Sequence, residues 1–435
     1  MIMKLSDYNI FVPFHKGHTI LYNSISGYYA LIKPDSFTLI QRHQNDIVGL
    51  RQANNRIYNS LVNNGCIIEQ NLNEFETIQN KRFNACFNSY HYKLIINPTM
   101  DCNLGCWYCY EDHIKGSEIS DETVARLGQH LEWRYAYYPF TQLELSFFGG
   151  EPLLREAKVR AIIDIAHAFC QERNVRLTLE FTTNATLVSD TMLYYLQDYP
   201  VNFQITLDGD RVRHDNIRCY KNSKTGSFTK IVSNLKRITD SLSNYHLGVR
   251  INFDQETLIH GEELLESLSF LNRETSHISL HRVWQIQEKD VDIDQIMEFI
   301  AKAAERNICI EYMPLHMFKP AICYADNLNS AAINFDGNVF KCTARKFSTQ
   351  NREGFLSSNG EIVWDAEKIR NRMFLKTPRI CRTCKLYPSC TGFCSQHILE
   401  RGGEAMCTLL ESHPIDYYVT INFQQRYLQH QTQCL

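Results

Sequence analysis

Apolar positions near the start of the chain keep a period of two. Ile10, Val12 and Phe14 alternate before a turn at His15-Lys16-Gly17-His18, and Ile20, Tyr22, Tyr28, Ala30 and Ile32 continue in short strands. Pro34-Asp35-Ser36 opens a helical stretch. A second runs near Asn54 to Asn63, stops at Asn64-Gly65 and is followed by a strand at Cys66-Ile67-Ile68. Strands, two helices and a closing strand predict a small separate, winged-helix-like module over residues 1–75. The polar residues 76–92 read as a linker.

Beyond the linker a form repeats without repeating its sequence. β-branched, apolar runs occur at Leu94–Asn97, Leu143–Phe148, Leu177–Thr182, Val201–Leu207, Val249–Phe253 and Ile278–Val283. Helical stretches separate them, around Glu118–Arg134, Glu156–Glu172, Asp190–Asp198, Phe228–Leu242, Glu256–Leu271 and Ile293–Glu305. Six strand–helix units predict an α/β fold, a partial TIM-like barrel of parallel strands over residues 93–306, with chemistry at the carboxyl ends of the strands. From Asn307 the pattern breaks into short segments dense in Cys and Gly, which reads as a metal-stabilised domain over 307–410 with a tail over 411–435.

Composition narrows the class. The 435 residues, 44% hydrophobic and 21% charged, are those of a folded multi-domain protein and exclude a disordered chain. Lys+Arg 45 against Asp+Glu 48 leaves a net charge of −3, so no basic field argues for nucleic acid. Polar residues interrupt every early apolar run, and none approaches the ~18 residues of a membrane helix. A cytoplasmic protein is expected. Sixteen cysteines in a chain of this size then argue for metal rather than disulfides.

Cys102, Cys106 and Cys109 follow the first barrel strand in a C-x3-C-x2-C spacing. Three thiolates in one loop leave one position open, which suits an iron–sulfur cubane; a zinc loop completed by His113 is the alternative. The segment resembles the signature of the radical S-adenosylmethionine (radical SAM) superfamily, including Tyr108 before the last Cys. The resemblance implies a [4Fe-4S] cluster on the three cysteines, Tyr108 packed on adenine, and an open iron that chelates S-adenosylmethionine. Gly149-Gly150-Glu151-Pro152 at the end of the second strand resembles the motif that meets the methionine amino group; its glycines permit a close backbone approach to a ligand. Thr182-Thr183-Asn184-Ala185-Thr186 and Thr206-Leu207-Asp208-Gly209 resemble segments lining the ribose and carboxylate side. Asn184, Thr206 and Arg218 are thus implied cofactor contacts, and Asp208 a candidate catalytic group. Ala185 stands where relatives carry Gly, which argues against a positive φ there, and Thr206 where Ser is frequent. His214-Asp215 and Arg218 follow as in relatives that bind peptides.

Cys323 and Cys342 flank Gly337, and Cys381, Cys384, Cys390, Cys394 and Cys407 follow. This array resembles the SPASM extension of radical SAM enzymes. It implies one auxiliary cluster on Cys381, Cys384, Cys390 and Cys407 and another on Cys323, Cys342 and Cys394, hence three [4Fe-4S] clusters in all. The last cluster's fourth ligand is Cys309, another side chain near His316-Met317-Phe318, or none, leaving an iron open to a substrate thiolate.

The expected function is a radical SAM/SPASM maturase of ribosomally made peptides, forming a thioether or carbon–carbon crosslink. Its expected partners are a precursor peptide with a leader, held at the N-terminal module by strand addition, and a reductant such as flavodoxin or ferredoxin. No nucleic acid or membrane is expected. An anaerobic sulfatase-maturing enzyme is the alternative, and a non-catalytic iron–sulfur adaptor a further one.

Overall fold

The computed structural model describes residues 2–282, 292–312, 322–390, 394–402, 407, 409 and 413–431. Strands β2 (Asn9–Pro13), β3 (Thr19–Asn23), β4 (Tyr28–Ile32) and β5 (Ile67–Glu69) lie where the sequence pattern puts them, and β1 (Met3–Leu5) precedes them as a strand the pattern did not predict. β2, β3 and β4 form an antiparallel sheet in that order, while β1 pairs with β5. Three short helices intervene, Pro34–Arg42, Ile47–Ala53 and Asn55–Asn63; Asp46 and Asn54 cap the last two. The pattern missed Ile47–Ala53 because it is only seven residues long and contains Gly49.

The expected linker is largely helix, Glu74–Cys86. Its first turn is anchored: Asn73 Oδ1 accepts from the Glu76 N–H, and Glu74 accepts from Ser6 Oγ at 2.5 Å and the Asp7 N–H at 2.8 Å. Polar composition hid the helix, whose Phe75 and Ile78 nonetheless pack in an apolar cluster with Tyr8 of the module.

The chain divides into two compact units. The first is drawn from the described residues of Met1–Cys86, Met313–Cys323 and Asn371–Leu435. Here the β2–β4 sheet is covered on both faces. Leu21 and Ile32 pack with Ile40, Leu50 and Leu61 of the short helices. Ile10, Val12, Ile20 and Tyr22 pack instead with Leu386, Tyr418 and Val419, and with Cys384 and Cys390 at the edge of that cluster. Tyr22 Oη and Ser389 Oγ are 2.6 Å apart. Tyr418 and Val419 come from the C-terminal helix Ile415–Gln431. The module is therefore not separate: it shares a core with the cysteine-rich C-terminus.

The second unit, Phe87–Tyr312 with Tyr324–Arg370, holds the barrel. β6 (His91–Asn97), β7 (Gln142–Phe147), β8 (Arg176–Thr183), β9 (Val201–Leu207), β10 (Tyr245–Phe253) and β11 (Ser276–Arg282) match the six expected strands; Val283 lies outside the described residues. Each pairs in parallel with the next. The series extends past Asn307 in two places. β12 (Ile310–Tyr312) adds in parallel to β11, and β13 (Ser330–Asn334) adds in parallel to β6. β14 (Asn338–Phe340), β15 (Gly354–Leu356) and β16 (Ile362–Trp364) continue antiparallel from β13. Residues 324–370, expected in the cysteine-rich domain, thus belong with the barrel. Strands of three to five residues carry too little pattern to be recognised alone.

His130 ties this hairpin region to the barrel. On helix Asp121–Tyr137 its Nδ1 meets Gly360 O at 2.8 Å and its Nε2 meets Tyr92 Oη at 2.6 Å. Burial pushes its pKa down to about 4 from 6.5, so the native state holds it neutral while the unfolded chain protonates it. Stability from this residue is present above pH 6.5 and is lost as pH falls toward 4, by roughly 3 kcal/mol. Urea titrations at several pH values should show a flatter profile for His130→Phe than for the wild type across that window. Parallel profiles would contradict this.

Candidate functional site

The cysteine loop leaves the carboxyl end of β6 and is folded on its own backbone. Asp101 accepts from the Cys102 and Gly116 N–H groups, both at 2.8 Å. Thr99 Oγ1 donates to Ser117 O at 2.7 Å, and Ser117 Oγ accepts from the Met100 N–H at 2.9 Å. The loop is pinned to the segment after β9 by Gly105 N–H to Cys219 O and Lys221 N–H to Asn103 O, both 2.9 Å. Cys102 is buried, Cys106 half-buried and Cys109 exposed.

The Gly-Gly motif packs directly on this loop. Gly149 has φ +106°, and a Cβ there would lie 2.4 Å from Thr99 O; one on Gly150 would lie 2.1 Å from Asp101 O. The close approach that these glycines serve includes the loop's backbone, with Glu151 N–H donating to Asp101 O at 2.8 Å. Glu151 is fully buried, and Pro152 is buried too. The Glu151 carboxylate accepts from Leu153 N at 3.0 Å, Thr183 Oγ1 at 2.6 Å and Asn184 N at 2.7 Å. It acts by holding the end of β8.

Ala185, contrary to expectation, adopts φ +59°. A left-handed non-glycine residue costs about 1–2 kcal/mol. Its N–H donates to Thr183 Oγ1 at 3.0 Å and its carbonyl accepts from Asn234 at 2.7 Å, which offset the strain.

A second polar network fills the ends of β9 and β10. Tyr108 Oη donates to Asp208, Arg218 Nη1 donates to Tyr108 Oη at 2.9 Å, and Asn252 Nδ2 donates to Asp208 Oδ1 at 3.0 Å. Arg218 lies 3.8 Å from Asp208. Burial pushes the Asp208 carboxyl up while Arg218 opposes it, and nearby Cys106, Tyr108 and Asp208 keep the Arg218 guanidinium charged. Each Asp208 oxygen accepts one of these bonds, and through Oδ2 the carboxylate orients Tyr108. Thr206 is half-buried on β9, one turn of the pleat below. His214 accepts from the Asp208 N–H at 3.2 Å and meets Ser227 Oγ at 3.0 Å; Asp215 accepts from the Phe228 N–H at 2.9 Å. These two support the loop in which Arg218 sits. Asn252 and Arg250 were not singled out from the sequence, although their alternation at the end of the fifth strand could have found them.

In the first unit, Cys381, Cys384, Cys390 and Cys407 line one small recess with Ile380, Leu386, Tyr387 and Leu409. Burial pushes the Cys381 thiol up to about 12, and the three neighbouring cysteines add to the rise. Cys323 and Cys394 are exposed and fall in this unit, whereas Cys342 and Cys309 fall in the other. His316, Met317 and Phe318 lie outside the described residues.

Residues 96–268 match the family model of the radical SAM superfamily. The chain carries a radical SAM domain. It is 22% identical over 388 residues to the radical SAM cyclopropyl synthase TigE of Paramaledivibacter caminithermalis, covering 81% of this chain and 79% of that protein. It is 28% identical over 166 residues to a cysteine-type anaerobic sulfatase-maturating enzyme of Clostridium novyi, covering 37% of this chain and 43% of that one. The solved structure of anSMEcpe with bound AdoMet and Kp18Cys peptide is 16% identical, with TM-score 0.56 over 79% of this chain and 100% of that chain. That of Streptococcus suis SuiB bound to precursor peptide SuiA is 15% identical, with TM-score 0.50 over 92% and 97%. These likenesses show the fold. Among the described residues no helix is long and apolar enough to cross a membrane.

Proteins with a radical SAM domain use S-adenosylmethionine and a [4Fe-4S] cluster, and the donor set of the loop fits the cluster. Among the described residues no three His, Cys, Asp or Glu side chains converge as one metal ion requires. A cubane places each thiolate on a different iron, so convergence is not needed. Burial pushes all three loop thiols up, and Cys106 raises both Cys102 and Cys109, a repulsion that bound iron relieves. His113 does not complete a zinc site. Its Nδ1 sits 2.9 Å from the Lys221 ammonium and accepts from it, so Nε2 carries the proton and faces Cys109 Sγ at 3.6 Å.

Proposed function

We propose that the protein is a radical SAM/SPASM maturase of a ribosomally made precursor peptide, crosslinking it through a thioether or carbon–carbon bond. Cys102, Cys106 and Cys109 hold the radical-generating cluster, and Gly149, Gly150, Tyr108, Thr206 and Arg218 border the cofactor beside it. S-Adenosylmethionine bound there would supply, on one-electron reduction, a 5′-deoxyadenosyl radical able to remove hydrogen from a substrate carbon. Cys381, Cys384, Cys390 and Cys407 hold one auxiliary cluster, and Cys323, Cys342 and Cys394 contribute to another. A small reductant of the flavodoxin or ferredoxin class delivers the electrons.

The observation that carries this reading is the recess. The four cysteines that the SPASM resemblance implies for one auxiliary cluster line one recess, under a sheet whose outer strand β4 is only partly buried. A partly exposed edge strand can take a leader as an added strand, which tethers the core peptide at a local concentration near about millimolar. Sulfatase maturation is the second reading, favoured by the Clostridium novyi relative.

Anaerobic reconstitution should load about twelve iron atoms per chain. With reductant, S-adenosylmethionine and a candidate short precursor peptide, mass spectrometry should show loss of hydrogen with no group reactive to aldehyde traps. An aldehyde formed on a sulfatase-derived peptide, and no change to the other, would move the second reading ahead. Zinc in place of iron would end both.

A further inference from the structure

Asn184, just past β8, sits in a closed ring of hydrogen bonds. Its Nδ2 donates to Asn103 Oδ1 at 2.9 Å, Asn103 Nδ2 donates to Thr186 Oγ1 at 2.8 Å, and Thr186 Oγ1 donates to Asn184 Oδ1 at 2.7 Å. Asn184 Oδ1 also accepts from the Thr186 N–H at 2.9 Å. Two donors on the oxygen fix the amide's orientation, so its nitrogen faces the cysteine loop. One amide hydrogen goes to Asn103. The other faces Cys102 Sγ at 3.8 Å.

Every hydrogen-bonding position of this amide is thereby used inside the protein, which leaves none of them for a small ligand. The side chain expected at the cofactor is thus engaged with the cysteine loop instead. The surroundings are dry, with Cys102 9% and Asn184 6% exposed, and a hydrogen bond there is stronger than one in water. The backbone is held as firmly, because the buried Glu151 accepts from both Thr183 Oγ1 and Asn184 N.

We infer that Asn184 is a positioning residue that tunes the loop cluster through its N–H to the Cys102 thiolate. This rests on the radical SAM reading of Cys102, Cys106 and Cys109. One-electron reduction adds negative charge to a cluster and its thiolates, and a fixed N–H donor stabilises the more negative state. The Asn103–Thr186–Asn184 ring thus raises the cluster's potential and eases electron entry. Glu151 acts through the same residue, by clamping its backbone.

The test is an anaerobic redox titration of the full-length reconstituted protein, followed by electron paramagnetic resonance. The signal that changes when S-adenosylmethionine is added identifies the loop cluster. Asn184→Ala should move its midpoint to more negative potential, by about tenfold in the reduced-to-oxidised ratio, or 59 mV for one electron. Asn184→Asp, nearly the same size, should move it further because a carboxylate faces the thiolate. Where the Ala variant binds too little iron, the Asp variant carries the measurement. Midpoints equal to the wild type in the variants that bind the cluster would overturn the inference. So would loss of the loop cluster from both variants, which would make the ring purely structural. A wild-type protein that takes up no iron on the loop is a different result, and would overturn the radical SAM reading itself.

Discussion

Gly150→Ala should cost this protein its radical chemistry while leaving most of its fold intact. The added methyl would lie 2.1 Å from Asp101 O, 2.6 Å from Asp101 C and 2.9 Å from Met100 C. All three are backbone atoms of the segment that presents Cys102, so no side chain can rotate away. Either the Gly149-Gly150 turn or the start of the cysteine loop must shift. Overpacking of this kind costs about 1–3 kcal/mol, which a domain of this size survives. Displacing reacting groups by about 1 Å costs about a hundredfold in rate. The expected outcome is a folded protein that keeps its loop iron but forms 5′-deoxyadenosine about a hundredfold more slowly. An iron assay and chromatography of the nucleoside check this. A wild-type rate would mean that the tight packing on Asp101 does not position the loop.

The barrel was legible because its strands are long and apolar. β6 to β11 each span six to nine residues, and the motifs fall at their carboxyl ends. The grouping of Cys381, Cys384, Cys390 and Cys407, which came from the resemblance rather than from periodicity, agrees with their lining one recess. Partnership at long range was not legible. Nothing in the alternation of Ile10, Val12 and Tyr22 says that Tyr418 and Val419 cover it, because burial against a neighbour and burial against a remote helix leave the same pattern. β13 stayed hidden as well. Ser330–Asn334 is a five-residue strand with two alanines, fixed in place by pairing with β6 rather than by propensity. Within the site, sequence likeness pointed to Asn184 and Glu151, but the atoms they serve became visible only with the hydrogen bonds in place.

Deleting residues 1–75 should disable the cysteine-rich segment as well as any leader binding. A free-standing module could be removed without harm to the rest. Here its sheet covers Leu386, Tyr418 and Val419, each less than 5% exposed, and its strand β3 supplies the Tyr22–Ser389 hydrogen bond. Exposing three such side chains costs about 1.5–3 kcal/mol each, a sum that approaches the whole stability of a typical domain. The segment from Asn371 onward should become sensitive to protease, and iron should fall from about twelve atoms toward about four. Cleavage of S-adenosylmethionine should persist, because Cys102, Cys106, Cys109 and the Gly149–Glu151 turn belong to the other unit. Tyr22→Ala is the milder version, at about 3–5 kcal/mol by analogy with other buried aromatics. Limited proteolysis, iron analysis and nucleoside assay on both variants separate the possibilities. A deletion protein that keeps all its iron and resists protease beyond Asn371 would show that the metal clusters, not the N-terminal sheet, hold that segment folded.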